Sequence, residues 1–306
     1  MSEIFDLVII GSGPAGMTAA IYAKRAGLRA IVIDKAGNGG QVLSTYEVDN
    51  YPGMPGISGF ELSQKFKEHA DYLGVEFAFD EVAGMNAEGE VKTVFGEEKE
   101  YHCKTILIAS GARHAKLNVP GENELSGAGV SYCATCDGAF FKNRTVAVVG
   151  GGDVAVEDAI FLARACQKVY LIHRRDSLRA AQSLQDTLFQ KDNIEVIWNH
   201  TVQKICGENQ VSSIILTEKE TEKEREILLD GVFVAVGIIP NSNEFTGKIS
   251  VNGNGYIVAD ESCRTSIPGV FAAGDVRQKP LRQIVTAVAD GANAVTSVEN
   301  YLISTK

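Results

Sequence analysis

The sequence predicts an α/β protein of two similar units, the second inserted into the first. Two apolar stretches, residues 5–10 and 145–149, each run into a glycine-rich turn and then into a helical pattern. Each is followed later in the chain by an apolar strand that ends in glycine, at residues 105–111 and 230–237. Because this order recurs, we expect two parallel sheets covered by helices. Residues 242–306 contain no third glycine-rich turn and are expected to complete the first unit.

Composition excludes several classes of partner. The chain has 306 residues, of which 45% are hydrophobic and 22% charged, as in ordinary globular proteins. Its net charge of -10 argues against nucleic acid and anionic membranes, which require a basic surface. Residues 1–6 run into a strand pattern without a signal peptide, and no apolar stretch is long enough to span a membrane. We therefore expect a cytoplasmic protein.

The first glycine-rich turn carries a dinucleotide fingerprint. Gly11, Gly13 and Gly16 enclose Ser12, Pro14 and Ala15 between the strand and the helix. The glycines allow a sharp turn, close approach of a pyrophosphate and tight packing of helix on strand. Gly27 ends the helix, a second strand follows at residues 30–33, and Asp34 is placed to bond a ribose hydroxyl. A Rossmann-like βαβ unit without ligand is the alternative.

The remainder of the first module is less specific. Residues 37–41, which include Gly40 and Gln41, are a flexible stretch that would wrap a flavin, and residues 50–56, beginning at Asn50, are a loop. Ordinary surface turns would look similar. Residues 60–73 have the pattern of an amphipathic helix, residues 75–104 that of short strands, and residues 105–111 that of a buried strand ending at Gly111.

A close cysteine pair lies between the two modules. Cys133 and Cys136 are three positions apart and are followed by Asp137. Such a pair can form an exchangeable disulfide, and Asp137 is a possible proton-transfer group. Half of a zinc site is disfavoured, because the other four cysteines stand singly, and two unrelated core cysteines are the remaining alternative. In a reducing cytoplasm a close pair is more plausibly catalytic than structural.

The second glycine-rich turn repeats the first. Gly150, Gly152, Asp153, Val154 and Ala155 lead from strand to helix, with alanine in the third glycine position, which the fingerprint allows. No metal site is expected in either module.

A basic cluster replaces the acidic residue of the first module. Asp34 is 23 residues after Gly11, and His173 is 23 residues after Gly150. Arg174, Arg175 and Arg179 follow His173. Guanidinium groups suit a 2′-phosphate and a carboxylate suits a 2′-hydroxyl, so this module is expected to take NADPH rather than NADH. A solvated basic turn is the alternative.

The C-terminal segment is expected to return to the first unit. It shows short strands, then Gly274 and Asp275, then a helix over about residues 282–301. Asp275 would lie at a strand end, where its carboxylate can bond a flavin ribityl chain or cap a helix. We predict a discontinuous domain of residues 1–112 and 242–306 and an inserted domain of residues 113–241, to which the resemblance described next assigns FAD and NADPH, respectively.

These motifs, in this order, resemble bacterial-type, low-molecular-weight thioredoxin reductase over essentially the whole chain. The resemblance implies a homodimeric flavoprotein with two Rossmann-like, three-layer dinucleotide-binding domains, FAD in the first and NADPH in the second. It makes Cys136 the sulfur that faces the flavin, Cys133 the sulfur that exchanges with thioredoxin, and Asp137 the acid/base; the sequence itself does not rank the two sulfurs. The FAD residues implied are Gly11, Gly13, Pro14, Ala15, Gly16, Asp34, Gly40, Gln41, Asn50, Gly111, Gly274, Asp275, Arg282 and Gln283. The NADPH residues implied are Gly150, Gly152, Asp153, Val154, Ala155, His173, Arg174, Arg175 and Arg179.

The expected reaction passes electrons from NADPH to FAD, then to the Cys133–Cys136 disulfide, and then to a thioredoxin-like protein. Because nicotinamide and disulfide belong to one domain and the flavin to the other, we expect the inserted domain to rotate about residues 111–114 and 240–243. The glutathione reductase type is disfavoured, since residues 35–60 contain no cysteine. A dithiol oxidase that passes electrons to oxygen and a nucleotide-sensing protein without turnover are the competing functions.

Overall fold

The computed structural model describes residues 4–35, 37, 39–45, 48 and 50–305. Residues 1–3 of the predicted N-terminal strand segment lie outside the described residues. Asn38, in the loop predicted to wrap a flavin, also lies outside them. The chain divides into two compact units. The first unit is Met1–Arg113 with Ile239–Lys306, and the second unit is His114–Ile238.

The first unit begins with a strand, a helix and a second strand, and its C-terminal part adds one strand and one long helix. Its elements in chain order are β1 Ile4–Ile10, α1 Pro14–Arg25, β2 Ala30–Asp34, a 3-10 helix Gly40–Ser44, α2 Gly59–Tyr72, β3 Glu76–Phe79, β4 Val82–Asn86, β5 Lys92–Gly96, β6 Glu100–Ile108 and β7 Ala112–His114, the last residue of which belongs to the second unit. The second unit follows from there with β8 Val130–Ser131, α3 Ala134–Asp137, a 3-10 helix Gly138–Phe141, β9 Thr145–Gly150, α4 Asp153–Leu162, β10 Lys168–Ile172, α5 Gln182–Phe189, β11 Ile194–Ile197, β12 His200–Gly207, β13 Val211–Glu218, β14 Glu224–Leu228 and β15 Gly231–Ala235. The chain re-enters the first unit through β16 Ile238–Pro240, then 3-10 helices Asn243–Phe245 and Gly274–Val276 around β17 Val270–Ala272, and ends with α6 Ile284–Ser304.

The sheet of the first unit has the order β3-β2-β1-β6-β5-β4 among the described residues, and β17 also pairs with β6. β1 is parallel to β2 and β6, and β17 is parallel to β6. The carboxyl ends of these parallel strands therefore share one edge, which is where open α/β sheets bind ligands. This edge carries Gly11, Asp34 and Gly274.

Apolar side chains fill both faces of this sheet. One face packs on α1 and α6, through residues such as Ile9, Met17 and Val298. Close approach of the two helices depends on Gly291, where an added Cβ would overlap the carbonyl oxygen of Ala15. The packing fixes the start of α1 against the C-terminal segment.

The second unit contains a parallel sheet of order β11-β10-β9-β15-β8 and an antiparallel sheet of order β12-β13-β14. Helices α4 and α5 cover one face of the parallel sheet, and the antiparallel strands pack on the other. The unit thus repeats the three-layer plan of the first, as the sequence predicts.

The structure corrects some predicted bounds. Residues 246–265 form only isolated bridges, such as Val251 with Ile257, where short strands were expected. Helix α6 begins at Ile284, because Gln283 is its N-cap. β6 begins at Glu100 and not at Thr105, because residues 100–103 pair with β5 and residues 102–108 lie along β1. The charged stretch at residues 218–226 forms an exposed hairpin between β13 and β14.

The two segments at which the chain crosses between units lie side by side. β7 pairs with β16. The amide of Asn241 donates to the carbonyl of Gly111 at 3.0 Å, and the Ser110 hydroxyl donates to the carbonyl of Asn241 at 2.6 Å. The Arg113 guanidinium donates to the Asn241 side chain at 2.8 Å.

No helix within the described part of the chain is both long and apolar enough to cross a membrane.

Candidate active site and nucleotide sites

The first glycine-rich turn is built for an anion at the start of α1. Gly11 has a φ of 104°, and a Cβ there would overlap the backbone of Ala109. A Cβ on Gly16 would overlap the carbonyl of Gly11, so the turn packs tightly on its own helix. A Cβ on Gly13, by contrast, would have no protein atom within 4 Å. Gly13 is the N-cap of α1 and no side chain caps the helix, so its first N–H groups can serve an external acceptor.

Ser12 ties the turn to the predicted ribose-binding residue. Its amide and hydroxyl each donate to Oδ2 of Asp34 at 2.7 Å. Its carbonyl accepts from the amide of Gly39 at 3.1 Å. Asp34 is therefore held at the end of β2, and the flexible loop is held against the turn. Sequence analysis did not single out Ser12, which is fully buried.

Three distant segments converge on the start of α1. A Cβ on Gly40 would lie 3.2 Å from the Cα of Gly13, and a Cβ on Gly274 would lie 2.9 Å from the Cβ of Ala15. Both glycines have positive φ, 59° and 75°. The structure thus brings Gly274 to Gly13 and Gly40, although the sequence places it more than 200 residues after both.

Polar atoms without partners lie in the same segments. Oδ1 of Asp275 and Nε of Arg282 are buried and have no hydrogen-bond partner in the described part of the chain. Arg282 lies over the ring of Tyr256, 4.0 Å from its centroid, and Asn50 donates to the Gln283 side chain at 3.0 Å. Burial raises the pKa of Asp275, while Lys279 and Arg282 lower it. Because unpaired buried polar atoms are costly, these atoms fit a polar ligand.

The second glycine-rich turn has the same design. A Cβ on Gly150 would overlap the carbonyl of Ala235 and would lie 2.6 Å from the Cβ of Ala155. Gly152 is the N-cap of α4, and a Cβ there would have no protein atom within 4 Å. A Cβ on Gly151 would overlap the ring of His173, so His173 lies directly beneath the turn.

The basic cluster divides into one buried and three exposed residues. His173 is 4% exposed, its Nε2 has no partner, and burial lowers its pKa, so it is neutral near pH 7. Arg174, Arg175 and Arg179 are exposed. The amide of Arg179 donates to the carbonyl of Gly151 at 2.7 Å, which places this residue beside the turn. Across the described residues, none of the three guanidinium groups has a hydrogen bond or ion pair within the protein.

Two other predicted nucleotide residues follow Gly152 at the start of α4. Asp153 accepts a hydrogen bond from the amide of Ala181 at 2.8 Å, and Val154 is 55% exposed.

The cysteine pair is closed. Cys133 and Cys136 form a disulfide with their Cα atoms 5.3 Å apart. Cys133 is the N-cap of the single-turn helix α3, whose amides at Cys136 and Asp137 donate to the Cys133 carbonyl. The single helical turn thus sets the short distance between the Cα atoms of the two cysteines.

Ser131 organises the acid beside this disulfide. Its hydroxyl donates to Oδ2 of Asp137 at 2.6 Å and accepts from the amide of Cys133 at 3.1 Å. Burial raises the pKa of Asp137, and the Ser131 hydrogen bond partly opposes the rise. A carboxyl with a raised pKa holds a proton closer to neutral pH, as proton transfer to sulfur requires.

Tyr132 anchors the same segment from its other side. Its hydroxyl donates to Glu122 at 3.0 Å, and its ring stacks on His114 at 5.3 Å. Glu122 is fully buried and also accepts from the amides of Leu117 and Asn118. Burial lowers the pKa of His114, so this stacked imidazole is uncharged near neutral pH.

Sequence reasoning missed four residues that shape these sites: Ser12, Ser63, Ser131 and Tyr256. The hydroxyl of Ser63 is buried without a partner, 2.7 Å from where a Gly39 Cβ would lie. Only Ser12 and Ser131 had a signal in the sequence, since each stands within or next to a recognised motif. Ser63 and Tyr256 come close to the site only through the fold.

Comparison with known proteins confirms the resemblance on which the sequence interpretation depends. Residues 5–291 match the family model described as pyridine nucleotide-disulphide oxidoreductase, and the chain belongs to this family. Curated relatives that are 44% to 48% identical to this chain are named thioredoxin reductases. That of Listeria innocua is 48% identical over 301 residues, which cover 98% of this chain and 94% of the relative.

Solved structures agree in fold. Thioredoxin reductase from Streptococcus pyogenes matches with a TM-score of 0.93 at 45% identity, covering 98% of this chain and 99% of the other. Lactococcus lactis thioredoxin reductase in its FR conformation matches with a TM-score of 0.69 at 43% identity and the same coverage. The predicted fold class is confirmed.

Proposed function

We propose that this chain is an NADPH-dependent thioredoxin reductase that uses FAD. The observation that carries the proposal is the Cys133–Cys136 disulfide, next to Asp137, in a chain with two separate dinucleotide turns. Membership of the pyridine nucleotide-disulphide oxidoreductases and the names of the relatives support the same reaction.

FAD is assigned to the first unit. The space beside Gly13 and the N-terminus of α1 suit its pyrophosphate, and Asp34 suits a ribose hydroxyl. Oδ1 of Asp275 and Nε of Arg282 supply unpaired polar atoms for the remainder of the molecule. When bound, FAD would accept a hydride from NADPH and deliver the electron pair to the disulfide.

NADPH is assigned to the second unit. Its pyrophosphate would lie at Gly152 and the start of α4. The guanidinium groups of Arg174, Arg175 and Arg179 are exposed and bond to none of the described residues, so they are available to a 2′-phosphate. His173 lies beneath the turn and supports Gly151, and its neutral imidazole contributes no charge.

The thiol chemistry is assigned to Cys133, Cys136 and Asp137. Two electrons break the sulfur–sulfur bond and leave two cysteines, which take up protons as required. The Cys133 thiolate then attacks the thioredoxin disulfide, forming a mixed disulfide and releasing one thioredoxin thiolate. The Cys136 thiolate then attacks the Cys133 sulfur of the mixed disulfide, which re-forms the intramolecular disulfide and releases the second thioredoxin thiolate. Asp137, held by Ser131, exchanges protons with these sulfurs.

We also propose that the second unit rotates between half-reactions. Two solved relatives of nearly equal identity and equal coverage match this chain with TM-scores of 0.93 and 0.69, a difference of conformation more than of fold. Such a motion would act through the segments at residues 111–114 and 240–243. Gly111, at a φ of 69°, and the backbone bond from Asn241 to it lie in these segments.

Thioredoxin is the protein substrate that this reaction requires. A homodimer is proposed from the family resemblance, and a cytoplasmic location from the free thiols of Cys103, Cys166, Cys206 and Cys263, which suit a reducing compartment.

The test is reduction of a chromogenic disulfide by NADPH and FAD-reconstituted protein, with and without thioredoxin, under air and under nitrogen. Thioredoxin should stimulate the rate strongly, and removing oxygen should leave it unchanged. A rate that needs oxygen and ignores thioredoxin would indicate a dithiol oxidase instead.

A further inference from the structure

A buried ion cluster lies behind the Gly274–Asp275 turn of the first unit. We call it the Asp290 cluster; it consists of Asp290 on α6 with Gly274, Arg277 and Lys279. Oδ2 of Asp290 accepts from the amide of Gly274 at 2.9 Å, from Nε of Arg277 at 2.9 Å and from Nζ of Lys279 at 2.8 Å. Its Oδ1 accepts from Nη2 of Arg277 at 3.0 Å. Asp290 is 5% exposed and Arg277 is 3% exposed.

Stability alone is a weak reason for such a cluster, because desolvation offsets much of the attraction between buried ions. The arrangement also leaves a charge imbalance, since one carboxylate faces two cations. Glu261 adds only a distant contact, 3.7 Å from Arg277, and is 94% exposed. Oδ1 of Asp275, in the turn that Asp290 holds, is buried and has no hydrogen-bond partner among the described residues.

The cluster also joins the Gly274 turn to α6, the helix that packs against α1. It binds the turn at Gly274 and belongs to α6 through Asp290. The next residue, Gly291, is where α6 packs against the carbonyl of Ala15 in α1. A Cβ on Gly274 would lie 2.9 Å from the Cβ of Ala15, so any shift of the turn moves it into or away from α1.

We propose that the Asp290 cluster is a positioning device for the flavin: Asp290, held by Arg277 and Lys279, fixes the Gly274–Asp275 turn against α1. This inference rests on the proposed binding of FAD in the first unit. Asp290 itself is a positioning residue, because its oxygens are occupied by protein donors.

The charge states agree with these roles. Burial alone would raise the pKa of Asp290, but the bonds from Arg277 and Lys279 hold it below its ordinary value. Burial raises the pKa of Asp275, and Lys279 is the largest influence in the opposite direction. Lys279 donates to Asp290 and to the carbonyl of Thr286, so it holds Asp290 in place from a second side.

The experiment measures FAD affinity of apoprotein by flavin fluorescence for wild type, Asp290→Asn, Lys279→Met and Lys279→Arg. Arg264→Gln is the matched control, since Arg264 is a cation of the same segment whose ion pair with Asp260 is exposed. Titrations are run well below the apoprotein unfolding midpoint of each variant, so that only folded protein is compared. We expect the FAD dissociation constant to rise about a hundredfold in Asp290→Asn and about tenfold in Lys279→Met, and to stay near wild type in Lys279→Arg and Arg264→Gln.

A purely structural role makes a different prediction. Asp290→Asn and Lys279→Met would then lower the unfolding midpoint and leave FAD affinity equal to that of Arg264→Gln, which would overturn the inference. If Asp290→Asn does not fold, Lys279→Met decides, because it retains the bonds of Asp290 to Arg277 and Gly274. A wild type that binds no FAD would refute the proposed function itself.

Discussion

Removing Arg174 and Arg175 should abolish most of the preference for NADPH over NADH. Both guanidinium groups are exposed and make no bond to the described part of the protein, so their replacement by alanine leaves no protein group unpaired. A bond to a charged group contributes about 1.5 to 3 kcal/mol, and exposure to solvent favours the lower limit. At about 1.5 kcal/mol each, kcat/KM for NADPH should fall about tenfold per arginine and about a hundredfold for the pair.

The assay compares initial rates with NADPH and NADH in wild type, Arg174→Ala/Arg175→Ala and the control Arg225→Ala. Arg225 is an exposed arginine of the same unit that pairs with Glu195 on the surface, so its loss should change neither rate. The rate with NADH and the FAD content should stay constant throughout. Equal losses with both nucleotides would refute the assignment, since they would mean that the arginines support the fold or the pyrophosphate.

Three further predictions concern the other unit and the acid at the disulfide. Gly13→Leu should lose FAD, as measured by flavin absorbance, while its apoprotein unfolds at the normal temperature, because a Cβ at Gly13 meets no protein atom within 4 Å. Gly253→Leu is the control: a Cβ at Gly253 also meets no protein atom within 4 Å, and this variant should retain flavin. Ser131→Ala removes a hydrogen bond that lowers the pKa of Asp137. The limb of the pH–rate profile of thioredoxin reduction that reports Asp137 should therefore move to higher pH. A shift to lower pH would argue against the role of Asp137 as the acid. The folded-state pKa of Asp290 is below the ordinary value for aspartate, so the stability that its carboxylate contributes is present above the ordinary pKa and is lost as pH falls through the folded-state pKa. In urea denaturation near pH 7, the free energy of unfolding of wild type should exceed that of Asp290→Asn by about 3 to 5 kcal/mol. The difference should shrink in acid.

The parts of the fold that could be predicted from sequence are those with strong local signals. The turn at Gly11 and the turn at Gly150 were recognisable because glycine is the residue that tight packing of strand, turn and helix demands. The spacing from Gly150 to His173 matches that from Gly11 to Asp34, and in the structure His173 directly follows β10. It did not reveal that His173 is buried under Gly151 while the arginines after it are exposed, because the side-chain direction there is set by packing against Trp198 and the turn.

The contacts that sequence reasoning missed join residues far apart in the chain. Asp290 pairs with Arg277 and Lys279 across the turn that precedes α6, and nothing in the local pattern distinguishes this aspartate from a solvated helical one. Tyr256 comes to Arg282 through a segment that forms only isolated bridges, where the alternation of residues suggested strands. Long-range pairing of this kind depends on tertiary packing, which has no fixed spacing in the sequence.

The central claim is that electrons travel from NADPH through the flavin to the Cys133–Cys136 disulfide and only then to thioredoxin. The direct test is anaerobic stopped-flow spectroscopy of FAD-reconstituted wild type and Cys136→Ser, with flavin absorbance and thioredoxin thiols followed in the same reaction. We predict that NADPH bleaches the flavin in both proteins and that thioredoxin thiols form only with wild type. Thioredoxin reduced at the wild-type rate by Cys136→Ser, or a wild-type flavin that NADPH does not bleach, would contradict the claim.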